Sequence, residues 1–154
     1  MRARNQTVQD ALRDDGVDAR IQVLDDHART AVLAAEQLGC PVAAIANSLV
    51  FMADGAPLLV MASGAARVDT AVIARAVGAG SVVKATAEQV RAATGQVIGG
   101  VAPTGHPTRL LTLVDEDLRE HGTVWAAGGT PDTIVPLTFD ELVVVTRGAV
   151  TRVR

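Results

Sequence analysis

A glycine-rich stretch at residues 99–106 carries the residue types best suited to binding chemistry in this chain. It reads Gly-Gly-Val-Ala-Pro-Thr-Gly-His and lies between two apolar segments. Glycine reaches backbone angles closed to other residues and lets a ligand approach the main chain, whereas proline fixes its own φ and has no N–H. The stretch predicts a stiff loop whose free amides point at a bound group. A tight connection between two strands is the alternative.

A second glycine turn occupies residues 126–131, with the sequence Ala-Ala-Gly-Gly-Thr-Pro, directly after a predicted strand. If that strand lies near residues 99–105, the two turns form one wall each of a pocket. Gly128 and Gly129 would then shape the wall opposite the first loop.

The reactive side chains are few. The histidines are His27, His106 and His121, and no two of them have the close helical spacing of zinc ligands. His106 leaves the glycine loop and is placed to contact a ligand, with a solvated loop histidine as the alternative. No serine stands in a Gly-x-Ser-x-Gly motif, and Cys40 is predicted to be an unreactive thiol. We expect no metal, no cofactor and no protein nucleophile.

Composition limits the partners. The 154 residues predict one domain, 1–154, with a core of Ala, Val and Leu, since 49% of the chain is hydrophobic and only 2% aromatic. The formal net charge is −3, and Lys84 is the single lysine. A protein that binds nucleic acid by itself normally carries a basic stripe, so contact with nucleic acid is expected to be weak, local or assisted by a partner.

The lone cysteine excludes a disulfide framework and fits a reducing cytoplasm. The polar N-terminal residues hold no apolar signal core, and no segment has the length needed to span a bilayer. We therefore expect a cytoplasmic protein without membrane contact, and both a monomer and a homodimer remain open.

Strands and helices alternate along the chain. Asp54-Gly55 between two apolar runs predicts a β-hairpin, while Thr86 with Gln89 and Thr138 with Glu141 predict helix capping boxes. Helices are expected over residues 6–15, from the Thr30 cap to residue 38, from residue 69 or 70 to Gly78, from the Thr86 cap to about Gly95, and after the Thr138 cap, with a helical turn over 115–119. Strands are expected over 21–24, 47–53, 57–62, 81–83, 109–114, 123–127, 134–137 and 148–153. The hairpin requires antiparallel pairing, so the sheet is mixed. This predicts an α/β (mixed α+β) single domain with helices on one face or around the outside of a curled sheet.

The order of several short motifs resembles a known family. The most specific motif is Gly-x-x-Pro-x-Gly at residues 100–105, preceded by Gly99. Supporting pieces, in chain order, are Thr30 before an alanine-rich helix and residues 38–39, 49–51, 67–69, 94–95 and 127–129. From about residue 21 to about residue 142, the chain resembles the YbaK/ProX family of aminoacyl-tRNA editing domains, related to the insertion domain of bacterial prolyl-tRNA synthetases.

That resemblance implies a curled, barrel-like mixed sheet surrounded by helices. It also implies hydrolysis of the ester that joins a wrong amino acid to the terminal adenosine of tRNA. Loop amides would hold the substrate carbonyl or orient a water, assisted by a tRNA hydroxyl or the substrate side chain. On this basis the predicted catalytic residues are Asn47, Gly100, Val101 and Gly105. The predicted substrate-binding residues are Thr30, Ser48, Pro103, Thr104, His106, Gly128 and Gly129.

The sequence departs from the family pattern at two positions. Asn47, followed by Ser48-Leu49, stands where relatives carry a lysine in a Lys-Thr/Ser-Leu pattern. Asparagine donates and accepts hydrogen bonds but carries no charge. An acidic position of some relatives falls on Ile134, with Asp132 nearby. Either Asn47 serves a different substrate, or the site has lost activity, or the reaction is not tRNA editing.

The leading hypothesis is a trans-acting aminoacyl-tRNA deacylase. Its partners would be the acceptor end of an aminoacyl-tRNA and an aminoacyl-tRNA synthetase. The alternative from another class is a non-catalytic module that kept the pocket and recognises an aminoacyl or nucleotide ligand, or a synthetase. Hydrolysis of another small acyl ester or amide is a third possibility. The sequence does not determine which amino acid is recognised.

Overall fold

The computed structural model describes residues 2–25 and 30–154. Within those residues the chain forms one sheet of eight strands, five α-helices and two short 3-10 helices. The strands are β1 (Gln22–Val23), β2 (Ile45–Ala53), β3 (Ala56–Ser63), β4 (Val82–Lys84), β5 (Leu111–Asp115), β6 (Val124–Ala127), β7 (Thr133–Leu137) and β8 (Ala149–Thr151). The α-helices are α1 (Ala3–Asp14), α2 (Ala31–Leu38), α3 (Thr70–Val77), α4 (Ala87–Thr94) and α5 (Phe139–Thr146), and the 3-10 helices are Val42–Ala44 and Glu116–Glu120.

The sheet is mixed, as predicted. Its strands follow the order β1-β7-β6-β2-β3-β5-β8, with β4 pairing to β2 beside this path. The pairs β2–β6, β3–β5 and β5–β8 are parallel, and the other pairs are antiparallel. The barrel-like closure implied by the family resemblance is not found in the described part of the chain. The end strands β1 and β8 are only two and three residues long, so they offer few backbone groups for closing the sheet.

Strand β2 is covered unevenly along one of its edges. On one side it pairs with β3 along its whole length. On the other side it pairs with β6 at Ile45 and Ala46 and with β4 over residues 51–53. Residues 47–49 of this edge pair with neither β6 nor β4, which leaves an opening in the middle of the sheet.

Capping and turn residues fix where several helices and the hairpin begin or end. Thr30 caps α2 by accepting a hydrogen bond from the Leu33 amide at 3.2 Å, and Gly39 ends that helix with φ +67°. Both capping boxes are present. The hairpin turn has positive φ at both Asp54 and Gly55, as a two-residue turn with the twist of the strands requires. These predictions are confirmed.

Helix α1 begins earlier than expected, at Ala3 instead of residue 6. Its N-cap Arg2 makes no side-chain capping hydrogen bond, so local chemistry gives little signal for this start. The helix is held by burial of Asn5, Val8 and Leu12. Because asparagine is normally a surface residue, the sequence gives no sign that Asn5 is buried in this helix. The predicted start of α1 is therefore too late.

The core lies on both faces of the sheet. Leu59 and Met61 belong to the larger cluster, together with residues of α1, α4 and α5. Leu58 and Val60 point to the other face, where they join Ile73 of α3. Each fully buried aliphatic side chain contributes about 1.5–3 kcal/mol, so the two clusters hold β2 and β3 firmly in place. In residues 2–25 and 30–154, none of the helices is both long and apolar enough to cross a membrane.

Candidate functional site

A cavity of about 100 Å³ lies at the opening in the β2 edge. Strand β2 contributes Asn47 and Ser48 to its wall, and Thr30 lies at the start of α2 beside it. Apolar side chains complete much of the lining, so the space suits a small group with a polar end. The lining residues are Leu24, Thr30, Ala31, Ala34, Ile45, Ala46, Asn47, Ser48, Gly99, Val101, Trp125, Ala127, Pro131, Thr133 and Ile134.

The two glycine turns meet at this cavity. Gly99 and Val101 line it from the first turn, and Ala127 and Pro131 from the second. A Cβ at Gly100 would lie 2.6 Å from the carbonyl carbon of Thr130, so only glycine lets the two backbones touch. The two turns therefore form adjoining parts of the cavity wall.

The loop amides are not equally available. The Gly100 amide donates to the Val97 carbonyl at 2.9 Å, and the Ala102 amide donates to Gln96 Oε1 at 2.9 Å. Pro103 has no N–H. The Val101 amide donates to no residue in the described ranges, and Val101 lines the cavity. The Gly100 amide is therefore already used, whereas the Val101 amide has no acceptor among the described residues and belongs to a residue that lines the same cavity as Asn47.

Gln96 was missed by the sequence reasoning. Its side chain is buried and holds the Ala102 amide, and its backbone amide donates to Thr94 Oγ1 at 3.0 Å. It thus fixes the path of the loop after Val101. A glutamine two residues after a helix is normally expected to be exposed to solvent. Only the partly apolar sequence of residues 96–98 could have indicated that the Gln96 side chain is buried.

The polar side chains at the cavity differ in their hydrogen bonds. Ser48 donates to the sulfur of Met61 at 3.3 Å, Thr30 caps α2, and Thr133 bonds within its own turn. Asn47 is exposed, and no hydrogen bond joins its side chain to residues 2–25 or 30–154. Among these cavity side chains, Asn47 is the one that no described residue engages, so it can contact a ligand.

The second half of the glycine loop faces elsewhere. The lining of a different cavity, of about 250 Å³, includes Pro103, Thr104, Gly105 and His106, together with Asp14 at the end of α1. The structure does not bring these four predicted residues together with Asn47.

Gly128 and Gly129 also stand back from the small cavity. A Cβ at Gly128 would lie 2.8 Å from Ile21 Cγ2, and one at Gly129 would lie 3.0 Å from the Arg4 carbonyl oxygen. They pack behind the wall and are not part of its surface. Their small size lets α1 and β1 approach the turn.

Comparison with known proteins identifies the family of this chain. The family model for the aminoacyl-tRNA editing domain matches residues 25–144. The chain belongs to this family. It is similar to the crystal structure of a proposed trans-editing enzyme for prolyl tRNA synthetase, with 38% identity, a TM-score of 0.95 and coverage of 100% of this chain and 98% of that chain.

Two further structures resemble this editing domain over nearly the whole chain. A protein from work on grafting linear epitopes onto scaffold proteins has 35% identity and a TM-score of 0.92, covering 100% of this chain and 98% of that chain. A hypothetical protein has 26% identity and a TM-score of 0.87, covering 96% of this chain and 98% of that chain. The family predicted from the order of the short motifs is confirmed, and so is the mixed α/β fold predicted from the alternation of strands and helices.

The editing domain has an apolar residue where some relatives are acidic. Ile134 is buried and lines the cavity. Asp132 does not replace a carboxylate there, because it hydrogen-bonds Arg2 and accepts from Thr130 Oγ1 at 2.8 Å. The Arg2 hydrogen bond holds the pKa of Asp132 below its usual range. The cavity wall is thus uncharged on this side.

Lys84, the single lysine, supplies no charge to the lining of the cavity. Lys84 lies on β4 opposite Phe51, and it is not among the lining residues. His27 lies outside the described residues. Among residues 2–25 and 30–154, no three histidine, cysteine or acidic side chains are grouped so that they could hold a metal ion.

His106 fixes the loop from its far side. Its Nε2 lies 2.8 Å from the Ala102 carbonyl oxygen, and because a carbonyl only accepts, Nε2 must be the donor. Burial lowers the pKa of His106, while the hydrogen bond to Ala102 opposes this in part. The imidazole is consequently neutral at pH 7.

We expect the free energy of unfolding to fall as the pH drops below about 6.5, the ordinary pKa of histidine. In that range the unfolded chain binds a proton that folded His106 does not, so stability rises with pH and is lost on acidification. Thermal melts from neutral to mildly acidic pH measure this. His106→Gln should reduce the pH dependence, and His121→Gln serves as the matched control. An unchanged slope in His106→Gln would contradict the assignment.

Proposed function

We propose that this editing domain is a trans-acting aminoacyl-tRNA deacylase that hydrolyses the ester of mischarged tRNA. One observation carries the proposal: Asn47 and Val101 line the same small cavity, and among the described residues neither the Asn47 side chain nor the Val101 amide has a hydrogen-bond partner. The first provides a neutral donor and acceptor, and the second provides a backbone donor. Together they can hold an amino-acid ester by its polar groups.

The chemistry needs no protein nucleophile. Water attacks the ester carbonyl, and the Val101 amide stabilises the negative charge that develops on its oxygen, which for one such donor contributes roughly 3 kcal/mol. The C–O bond to the ribose then breaks, and the ribose oxygen takes a proton that derives from the water. The products are the free amino acid and uncharged tRNA. Asn47 orients the substrate amine or a ribose hydroxyl, which places the ester for attack.

The cavity limits the size of the amino acid. Its volume is about 100 Å³, less than the 150 Å³ or so of an engineered cavity that takes up benzene. Ala31, Ala34 and Ile134 make its walls apolar. We infer that a small aliphatic side chain enters the cavity and that the terminal adenosine stays outside it.

Binding of tRNA is confined to the acceptor end. A net charge of −3 with a single lysine provides little attraction for an extended RNA backbone. A synthetase that delivers or shares the mischarged tRNA would compensate for this weak attraction. Since the chain is similar to a proposed trans-editing enzyme for prolyl tRNA synthetase, tRNA(Pro) is the first tRNA to test.

A panel of mischarged tRNAs tests the proposal. We expect release of small aliphatic amino acids well above the uncatalysed rate, and little release of phenylalanine or tryptophan, whose rings exceed the cavity. Correctly charged prolyl-tRNA(Pro) shows whether the cognate product is spared. Binding of the same tRNAs without deacylation of any of them would overturn the proposal and support the non-catalytic module.

A further inference from the structure

Helix α1 underlies both glycine turns. A Cβ at Gly105 would lie 3.1 Å from Val8 Cγ2, and a Cβ at Gly129 would lie at the same distance from that atom. Val8 is fully buried, so one side chain supports both turns from below. Helix α1 lies outside residues 25–144, the part that matches the family model, yet it is packed directly against the elements that carry the cavity.

Asn5 joins α1 to the second turn by hydrogen bonds. It is only 2% exposed, and its Nδ2 donates to the Gly128 carbonyl oxygen at 2.8 Å. The same nitrogen lies 3.1 Å from Thr130 Oγ1 and 3.2 Å from Thr133 Oγ1. A buried amide with three partners in one turn fixes the position of that turn strongly, because leaving such groups unpaired is costly.

The turn is tied together around this contact. Thr133 Oγ1 donates to the Thr130 carbonyl oxygen at 3.0 Å, and the Thr133 amide donates to the same oxygen at 3.2 Å. Arg2 extends the network on the exposed side, where its guanidinium donates to Thr130 Oγ1 at 3.2 Å. The turn is therefore cross-linked by its own hydrogen bonds and anchored to α1.

A displacement of this turn would change the shape of the cavity through two sets of contacts. Pro131 and Thr133 line it directly. In addition, the Gly100 backbone rests on Thr130 and Pro131, so the loop that presents the Val101 amide rests on the same support.

We propose that Asn5 is a positioning residue, which sets the width of the cavity and the place of the Val101 amide by holding the Gly128–Thr133 turn. As far as it concerns catalysis, this role rests on the proposed deacylase function. Asn5 does not touch the cavity and acts only through the turn. Through Asn5, helix α1 contributes to the substrate specificity of this editing domain.

Trp125 offers a probe that is independent of activity. It lines the cavity on β6, which leads directly into Gly128, and the chain has one tryptophan and no tyrosine. Its fluorescence therefore reports on the cavity wall alone. Quenching by acrylamide measures how far water reaches that wall.

The test compares Asn5→Leu, which keeps the size of the side chain but removes the donor, with Gln6→Leu as the matched control. Gln6 is the next residue of α1, but its side chain is exposed and bonds Asp10. Thr130→Val removes a partner hydroxyl of Asn5 at a residue that does not line the cavity, and it decides the question if Asn5→Leu does not fold. Deacylation is measured with the smallest and the largest aminoacyl groups that the wild type accepts.

We expect Asn5→Leu to lower kcat/KM for the small substrate about tenfold, because a displacement smaller than 1 Å should cost less than the roughly 100-fold loss that 1 Å causes. The preference for the small over the large substrate should fall, and quenching of Trp125 should rise. Thr130→Val should act in the same direction, while Gln6→Leu keeps the wild-type preference and quenching. Wild-type quenching and preference in both Asn5→Leu and Thr130→Val would overturn the proposal. If the wild type deacylates nothing, the proposed function fails, and the quenching alone decides whether Asn5 positions the turn.

Discussion

Gly100→Ala should lower kcat/KM for deacylation by about 1000-fold, the upper range for loss of one oxyanion donor. The new Cβ would lie 2.6 Å from the carbonyl carbon of Thr130 and 2.8 Å from the Pro131 nitrogen. Both atoms are backbone, so the loop itself must move, and it carries the Val101 amide away from the cavity. Overpacking of this kind costs about 1–3 kcal/mol of stability, so the variant should remain folded. Steady-state kinetics and thermal melts measure the two effects separately.

Gly122→Ala is the matched control for this substitution. No heavy atom lies within 4 Å of a Cβ at Gly122, and its φ is not in the left-handed region. Alanine there should leave both the melting temperature and kcat/KM unchanged. A Gly100→Ala variant with wild-type kcat/KM would show that the loop backbone does not stabilise the transition state, and the role assigned to Val101 would be wrong.

The parts of the fold that sequence could predict are those fixed by local chemistry. The threonine caps of α2, α4 and α5 each depend on residues within one helical turn. The Asp54-Gly55 turn needs positive φ at both positions, which its residue types favour. Such signals act over a few residues, and they give the alternation of strands and helices and hence the mixed sheet.

The site could be predicted only in part because its geometry depends on distant residues. The glycine motif correctly indicated a shaped loop and a close approach of two turns. The sequence could not show that Gln96 binds the Ala102 amide or that Gly100 donates to Val97. Nor could it show that residues 103–106 turn to another cavity. These facts depend on how α1 and β2 are placed, and no local pattern records that placement.

The opening in the β2 edge has the same origin. Nothing in residues 47–49 indicates that one of their two edges lacks a partner strand, since the partners on that edge come from β4 and β6, far apart in the chain. Asn47 is the first residue of this half-paired stretch, and it is exposed although the two residues before it in β2 are buried.

Asn47→Ala should lower kcat/KM about 100-fold, because it removes the group that orients the substrate amine or ribose hydroxyl. The melting temperature should not change, since Asn47 is exposed and its side chain bonds to no other described residue. This unchanged stability is an internal control against a general loss of structure. A variant that deacylates at the wild-type rate would remove Asn47 from the site.

Asn47→Lys, measured beside it, separates a working asparagine from a lost lysine. An ammonium group donates hydrogen bonds but cannot accept one, so it cannot replace both functions of the amide. We therefore expect Asn47→Lys to be less active than the wild type on the same tRNAs, by an amount close to that of Asn47→Ala. The opposite result, an inert wild type and an active Asn47→Lys, would mean that the cavity was kept for binding after its catalytic charge was lost. In that case the Val101 amide alone does not make the site an enzyme, and the deacylase proposal would be wrong.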